Sequence, residues 1–532
     1  AGAEQPDMEV SDSLSYEAFL KAHENDARPS GSIPVDIAAF SSEGGEFKTQ
    51  EGYLGKPGLS VYTDEDGSIT FHVTVPAAGL YGLQLDFVSE NKRGASVERK
   101  IKINGEYPHK EAESLVFNRL YRDDPDGKGK TDVQGNDIRP SQLEVKQWQD
   151  DGFIRDSQGY YITPLLFYFK EGDNTITFEA TSEPLTIANL RLANEEARPS
   201  YAELQETYRQ QGYTAAGTAP IIIQGEDAAL KSDPVLYPVT DKTTPTTVPY
   251  EKNKQKLNAI GGYRWQNPRQ FIIWNFHVEK AGLYTISMKA RQNVTRGVKS
   301  NRAVYIDGVI PCKELEDYQV AFDSKWQMLE LGGGDGAFQL YLTAGEHELK
   351  MEVTLGEMAG KINEVQDVLT ELNGIYTKIM MITGSKPDTM RDYYLDTLIP
   401  DDIARMGTLA DQLQGVVDWF TSYTGGKGQN VSTLNTVIAC VASMALPVVF
   451  AKLFKNMRAP FIACLAGTAV CFALVFFLPY GPITWVLFCI QPVLMASVMP
   501  FTKMLPTLLP SVRPEHYGVV GGIQATFQNF GM

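Results

Sequence analysis

The chain has 532 residues, too many for a single hydrophobic core, and is acidic, with 65 Asp and Glu against 48 Lys and Arg. A net charge of −17 excludes a protein that holds nucleic acid through phosphate neutralisation, which needs clustered Lys and Arg. The charge is also divided: residues 1–425 hold 42 basic and 64 acidic residues (net −22), residues 426–532 hold 6 and 1 (net +5), so the front is expected to fold in water and the rear in lipid.

Ala1, Gly2, Ala3 and Glu4 resemble the mature end left by signal-peptide cleavage, and export is inferred from them. Residues 1–30 are expected to form an N-terminal helix and linker. Of five cysteines only Cys312 precedes residue 426, so the front has no disulfide framework and must be stabilised by its cores.

Two stretches of the front align. At one offset of 203, Phe71, Val73 and Val75 match Trp274, Phe276 and Val278, and Gly79, Leu80 and Tyr81 match Gly282, Leu283 and Tyr284. The same offset pairs Arg99 with Arg302, Asn104-Gly105 with Asp307-Gly308, and Glu111 and Glu113 with Glu314 and Glu316. Residues 168–179 then match 341–352 at offset 173, so the first copy carries an insertion of 30 residues near 118–150. Both copies open alike, with Ser15-Tyr16 and Pro34 against Ser200-Tyr201 and Pro220. A constant register over so many positions is the mark of duplication.

Within each copy the apolar period is two, as in Phe71, Val73, Val75 and in Tyr81, Leu83, Leu85, which means strands buried on one face. Ala77, Ala78 and Gly79 are expected to close a hairpin, as are Glu279 to Gly282. Asn104-Gly105 and Asp307-Gly308 suit two-residue turns with positive φ at both positions. The fold class is therefore mainly β: two tandem antiparallel jelly-roll-like β-sandwiches, over residues 31–198 and 199–355.

These copies resemble galactose-binding-like jelly rolls of the carbohydrate-binding-module type, on the run Val278, Ala281, Gly282, Leu283, Tyr284, then Asp307-Gly308, then Leu342, Thr343, Ala344, Gly345, Glu346. Ile223, Gln224, Gly225, Glu226 and Asp227 look like the opening strand of such modules, where the resemblance implies two alternate acids on a structural calcium; here Gln224 takes the first acid's place. Residues 1–425 further resemble the N-terminal region of large Gram-positive extracellular solute-binding proteins of sugar importers of the ABC class. The matching stretches are Ser15-Tyr16-Glu17, Gly135 to Pro140, Ser200 to Leu204 and Met380 to Gly384. In that family a two-lobed solute-binding domain is expected to follow.

Residues 356–425 are expected to form a helical stalk. One face carries Ile362, Val365, Val368, Leu369, Leu372, Ile375 and Ile379; a second helix over 403–423 carries Leu409, Leu413, Val416, Val417 and Phe420. The stalk either packs on the sandwich or binds a partner helix. Residues 430–532 then read as transmembrane helices at about 432–452, 459–479 and 483–505, with a truncated fourth from 518. Residues 459–502 contain no charge, and a buried soluble core is the alternative reading. Lys452, Lys455 and Arg458 place their loop in the cytoplasm and residues 1–425 outside the cell. The short basic loop, the turn Pro479-Tyr480-Gly481-Pro482 and the run Arg513 to Gly518 with Gly521-Gly522 resemble a fragment of a major facilitator superfamily transporter. The loop 450–458 lacks the Asp and glycines of that family's signature, and no mid-span charge marks an ion path.

Candidates for ligand contact are loop aromatics, whose rings cover the apolar face of a pyranose: Tyr263 and Trp265 in an exposed loop, Trp326, and in the first copy Trp148, Tyr160 and Tyr161. Packing is the alternative for each. Arg264, Asn267 and Arg269 could supply hydrogen bonds or be solvated. Trp274, in phase with strand positions, is expected in the core. Asp124 and Asp126 form either a solvated turn or, with Glu226, a weak calcium site; otherwise no cofactor is implied. Six scattered histidines argue against zinc, and neither Gly-x-Ser-x-Gly nor a Cys/His pair occurs. The expectation is a non-enzymatic, extracytoplasmic, membrane-attached solute- or saccharide-binding protein of a bacterial uptake system, with a saccharide or other small solute, the lipid bilayer and a permease as partners. The alternatives are a fragment of a major facilitator transporter with an extracellular domain, and a protein-interaction module docking a transporter or solute-binding lobe.

Overall fold

The computed structural model describes residues 14–333, 336–388 and 391–425; the membrane helices expected after residue 430 lie outside these. None of the described helices is long and apolar enough to cross a membrane. The chain divides into two compact units, one spanning the sandwiches up to Ile362 apart from Thr295–Val298, the other comprising Thr295–Val298 and the chain from Asn363.

The first copy opens with α1 (Tyr16–Ala22), capped by the Ser15 hydroxyl, which accepts the Ala18 N–H. Its strands are β1 (Ser32–Pro34), β2 (Phe40–Glu43), β3 (Phe47–Glu51), β4 (Leu59–Thr63), β5 (Ser68–Val75), β6 (Gly79–Ser89), β7 (Val97–Ile103), β8 (Leu115–Phe117), β9 (Leu120–Asp123), β10 (Gln142–Val145), β11 (Gln149–Phe153), β12 (Leu166–Phe169), β13 (Gly172–Ser182) and β14 (Leu185–Ala193). A five-stranded sheet runs β2-β5-β13-β7-β8. It belongs with a second sheet ordered β11-β6-β14-β4-β3, onto which β1 and β12 also pair. Phe71, Val73, Ile101, Ile176 and Phe178 of the first sheet share one buried cluster with Leu83, Leu85, Phe167, Ile187 and Leu192 of the second. This is a sandwich core built from the alternate residues of each strand.

The second copy begins with α2 (Tyr201–Gln210), where Ser200 and Glu203 form a reciprocal capping box. Its strands are β15 (Leu230–Lys231), β16 (Phe271–Val278), β17 (Gly282–Thr285), β18 (Ser287–Ala290), β19 (Ser300–Ile306), β20 (Tyr318–Val320), β21 (Gln327–Glu330), β22 (Gly332–Gly333), β23 (Gly336–Ala337), β24 (Gln339–Leu342) and β25 (Gly345–Thr354). The duplicated register is repeated in space: β13 pairs with β5 as β25 pairs with β16, and β12 pairs with β6 as β24 pairs with β17.

Two expectations change. The turns at Ala77–Gly79 and Glu279–Gly282 are not hairpins, because β5 and β6 lie in different sheets, as do β16 and β17. The chain leaves one sheet and enters another at each turn, so the connection arches between sheets instead of folding flat. By contrast Asn104 (φ 53°) and Gly105 (φ 87°), with Asp307 (φ 49°) and Gly308 (φ 80°), do make two-residue turns. In each, the flanking residues exchange both backbone hydrogen bonds, Ile103 with Glu106 and Ile306 with Val309.

The stretch expected as an insertion, 118–150, joins the copies. Its hairpin β9–β10 enters the second copy's sheet, ordered β10-β9-β15-β16-β25-β19-β20. Lys231 of β15 faces Tyr121 of β9 in register, and the fully buried Lys231 ammonium lies 2.5 Å from the Asp123 carboxylate. Then α3 (Met358–Thr383), which enters the other unit at Asn363, is followed there by α4 (Leu395–Leu398) and α5 (Pro400–Tyr423). The faces expected to be apolar meet there: Val368 and Ile375 pack with Leu409 and Leu413.

Candidate functional site

The loop Gly261–Asn267 stands at the edge of the second copy. Gly261 (φ 92°) and Gly262 (φ 65°) both take left-handed backbone conformations that glycine adopts at little cost. This turn presents Tyr263, which is 67% exposed. Beside it the Arg264 guanidinium lies over the Tyr237 ring, 4.6 Å from its centroid. A second guanidinium, Arg139, covers the same ring at 3.7 Å. Arg139 and Arg264 are exposed at the surface, and among the described residues neither has a carboxylate partner.

Arg139 belongs to the first copy. It is delivered here because the β9–β10 loop is fastened to residues 255–257. The Asp137 N–H donates to the Gln255 carbonyl (2.8 Å), and the Gln255 N–H donates to Asn136 Oδ1 (2.8 Å). Asp137 Oδ2 accepts the Leu257 N–H (3.0 Å), and Lys256 Nζ lies 2.9 Å from Asp137 Oδ1. The run Gly135 to Pro140 therefore holds a cation over the second copy, and sequence reading missed both Arg139 and Tyr237. The only available signal was a pair of arginines in stretches singled out for other reasons.

The remaining candidates are mostly packed. Trp265 is half-buried against the second core and not exposed: its indole N–H donates to the Gln270 carbonyl (3.2 Å) and the Arg302 guanidinium covers its ring at 4.1 Å. The backbone N–H of Asn267 is bonded to Gln270 Oε1 (3.0 Å), and its side chain is exposed. Trp326 donates to Asp241 Oδ1 (3.2 Å) under the Arg291 guanidinium (4.9 Å). Trp148 repeats that arrangement, donating to the Tyr53 carbonyl (2.9 Å) with Lys56 over its ring (5.1 Å). Both indoles are half-buried and join one loop to another. Trp274 is in the core, as expected, donating to the Gly225 carbonyl (2.8 Å).

Tyr160 is half-buried, its N–H bonded to the buried Asp156 carboxylate (2.6 Å), while Tyr161 packs edge-on against Tyr16 at 4.7 Å. Tyr161 also borders a narrow cleft between the copies lined by Arg155, Arg198, Arg269, Tyr305 and Glu352. Its charges are already spent on each other. Arg155 and Arg198 both reach Glu195 (2.6 and 2.5 Å), and Arg269 reaches Glu352 (2.6 Å). Burial would raise the Glu352 carboxyl, but Arg269 and Lys350 hold it below the ordinary range. The cleft is a fastening between the copies.

The calcium candidates do not converge. Asp124 Oδ1 accepts the Asp126 N–H (3.0 Å) in a surface turn, and Asp126 is exposed. Glu226 is buried, and its neighbour Asp227 pairs with Lys128 at 2.8 Å. Among the described residues no three His, Cys, Asp or Glu side chains are grouped as a metal would require.

Residues 361–446 match the family model described as a bacterial solute-binding protein, 4-helix bundle domain. The described part of that match contains α5 and most of α3. No curated protein matches the chain. Among solved structures, the chain is similar to a family 35 carbohydrate-binding module from Clostridium thermocellum (16% identity, 31% of this chain and 100% of that one, TM-score 0.18). It is also similar to a family GH26–CBM35 β-1,4-mannanase of Podospora anserina (14%, 35% of this chain and 36% of that one, TM-score 0.19). A third is the C-terminal CBM6 module of a laminarinase from Zobellia galactanivorans (10%, 31% and 100%, TM-score 0.17).

Proposed function

We propose that this chain is a non-catalytic saccharide-binding protein of a bacterial uptake system, acting outside the cytoplasm. The observation that carries this reading is the exposed Tyr263 beside the Arg139–Tyr237–Arg264 stack. An exposed phenol ring offers a flat apolar surface for the C–H face of a sugar. Two guanidiniums without carboxylate partners offer forked donors that suit hydroxyl pairs and, bidentately, a carboxylate. The match of residues 361–446 to a solute-binding protein domain supports the placement in uptake. The apolar sequence after residue 430 supports attachment to the membrane, with the sandwiches outside. A permease and a separate solute-binding lobe are the protein partners this role calls for.

The guanidinium pair further favours saccharides carrying uronic acids over neutral ones. Calorimetric titration of the full chain with neutral and uronic-acid oligosaccharides tests both levels. Saturable binding of an acidic saccharide is expected. Tyr263→Ala and Arg264→Ala are each expected to weaken it about tenfold, since one stacked ring or one charged hydrogen bond is worth roughly 1–2 kcal/mol. Binding that ignores both substitutions removes the site, and absence of any saccharide binding removes the function.

A further inference from the structure

The turns Asn104-Gly105 and Asp307-Gly308 are each tied to a later strand of their own copy, but by different chemistry. In the second copy Asp307 Oδ1 accepts the Glu348 N–H (2.8 Å), and Asp307 Oδ2 lies 2.7 Å from His347 Nδ1. In the first copy Asn104 Oδ1 accepts the Thr175 N–H (3.0 Å), and Asn104 Nδ2 donates to Asn174 Oδ1 (2.9 Å). The far side of the bridge repeats as well. His347 Nε2 lies 2.9 Å from the Thr343 carbonyl oxygen, and Asn174 Nδ2 donates to the carbonyl of Lys170, the counterpart of Thr343 (2.8 Å). Both bridging side chains, His347 and Asn174, are buried.

These partners fix the charge of His347. A carbonyl oxygen and a carboxylate oxygen only accept, so a ring with one at each nitrogen carries a hydrogen on both. The Thr343 hydroxyl, the alternative donor to Nε2, stands farther off at 3.4 Å. Asn174 makes the equivalent bridge with an amide, which is neutral at every pH.

The bridge joins two sheets at this end of the second sandwich. Thr343 follows β24, which pairs with β17; Asp307 follows β19 and His347 lies in β25, both in the seven-stranded sheet. The Phe276 ring of β16 stacks on the imidazole, 5.7 Å between centroids. The charged groups around the ring are Asp307 from the turn, Glu346 and Glu348 from β25 itself, and His277 from β16, whose Nδ1 lies 2.8 Å from Glu346 Oε1. Burial pulls the imidazolium down, but the Thr343 carbonyl, Asp307 and Glu346 outweigh it and hold the group above its ordinary 6.5.

We propose that His347 is a pH-operated clasp: charged, it locks the β24–β25 turn to the Asp307 turn, and on losing its proton to solvent it releases that end of the second sandwich while the matching end of the first copy stays shut. The neutral ring keeps its Nδ1–H on Asp307 and turns the Nε2 lone pair against the Thr343 carbonyl oxygen, so attraction on that side becomes repulsion. Because the folded value is raised, the stabilisation is complete below the ordinary imidazole range and is lost as pH rises through the folded value. The clasp shares no residue with Tyr263 and its arginines, so it stands or falls apart from the saccharide reading.

Hydrogen exchange of the full chain at about pH 6 and about pH 9, expressed as protection relative to the intrinsic rate at each pH, tests the clasp. Protection at 305–309 and 342–349 is expected to fall about tenfold for each unit by which the folded value exceeds the ordinary one. Protection at 102–106 and 169–176, around the amide bridge of the first copy, is expected to hold. His347→Asn, the side chain the first copy uses, is expected to abolish the fall. Asp307→Asn, which keeps the turn and removes the charge, is expected to move the fall to lower pH. A fall of equal size in both copies, no fall in the second, or a fall that either substitution leaves where it was overturns the proposal.

Discussion

Single residues here are decided by what burial does to them. Burial pushes the Glu226 carboxyl up to about 7 from an ordinary 4.5. Between those values the folded chain keeps a proton that the unfolded chain has released, so stability falls as pH rises through that window and is flat above it. Glu226→Gln removes the penalty. Urea midpoints measured from pH 4 to pH 8 are expected to converge for parent and variant at the acid end and to favour the variant by about 2 kcal/mol at pH 8; a parent with no such decline would contradict the burial argument. Arg99 and Arg302 were visible in the sequence as a matched pair, and their shared job was not. Arg99 is buried and Arg302 half-buried, and desolvation lowers each to about 10. Arg99 donates to the carbonyls of Ser182, Glu183 and Asp64, and Arg302 donates to Trp265 while covering its ring. That second contact is why Trp265 is half-buried although it sits in a glycine-rich loop. Composition places an aromatic in a loop; only the arginine from a distant strand says that the loop folds inward.

At the scale of elements, period-two alternation identified the strands because one-sided burial is a local property of sequence. It could not tell which strand pairs with which, and so it joined β5 to β6 as a hairpin where the chain crosses between sheets. The β9–β10 hairpin shows the same limit. Its length was legible as an offset between the copies, but its destination depends on Lys231 and Asp123, which are far apart in sequence. Lys231 is fully buried and burial lowers its pKa, with Asp123 acting against that shift. Gln142 Nε2 also donates to Asp123 Oδ1 at 2.6 Å. Asp123→Asn leaves the ammonium buried without an opposite charge and is expected to cost about 3–5 kcal/mol. Asp123→Leu combined with Lys231→Met, which removes both charges, is expected to recover most of that. Chemical denaturation of the three proteins provides the measurement, and a single mutant as stable as its parent would show that the pair does not hold the hairpin.

At the scale of the whole molecule, a sequence boundary near residue 198 separates two copies that the structure does not treat as separate cores in series. One ladder of backbone hydrogen bonds runs from β10, through β9, into β15 and on to β20, so the first copy contributes two strands to the second copy's sheet. Leu120 and Val145 of that arm pack with Phe271 and Ile273 of β16 in a small apolar cluster of their own. The Glu195 bridges to Arg155 and Arg198, with Arg198 reaching on to Glu316 at 2.6 Å, tie the linker between copies to both sides. Unfolding either copy alone would expose this cluster, separate β9 and β10 from the rest of the sheet and leave Lys231 without its carboxylate, a combined cost comparable to the stability of a small domain. The two copies are therefore expected to melt in one calorimetric transition. Asp123→Asn is expected to move that transition as a whole to lower temperature without splitting it. Hydrogen exchange supplies the residue-level reading, because coupled copies predict that amides in β13 and β25, interior strands of the two ladders, lose protection together in the variant. A variant in which β25 amides exchange faster while those of β13 keep the parental rate would show that the shared sheet joins the copies without making them one cooperative unit.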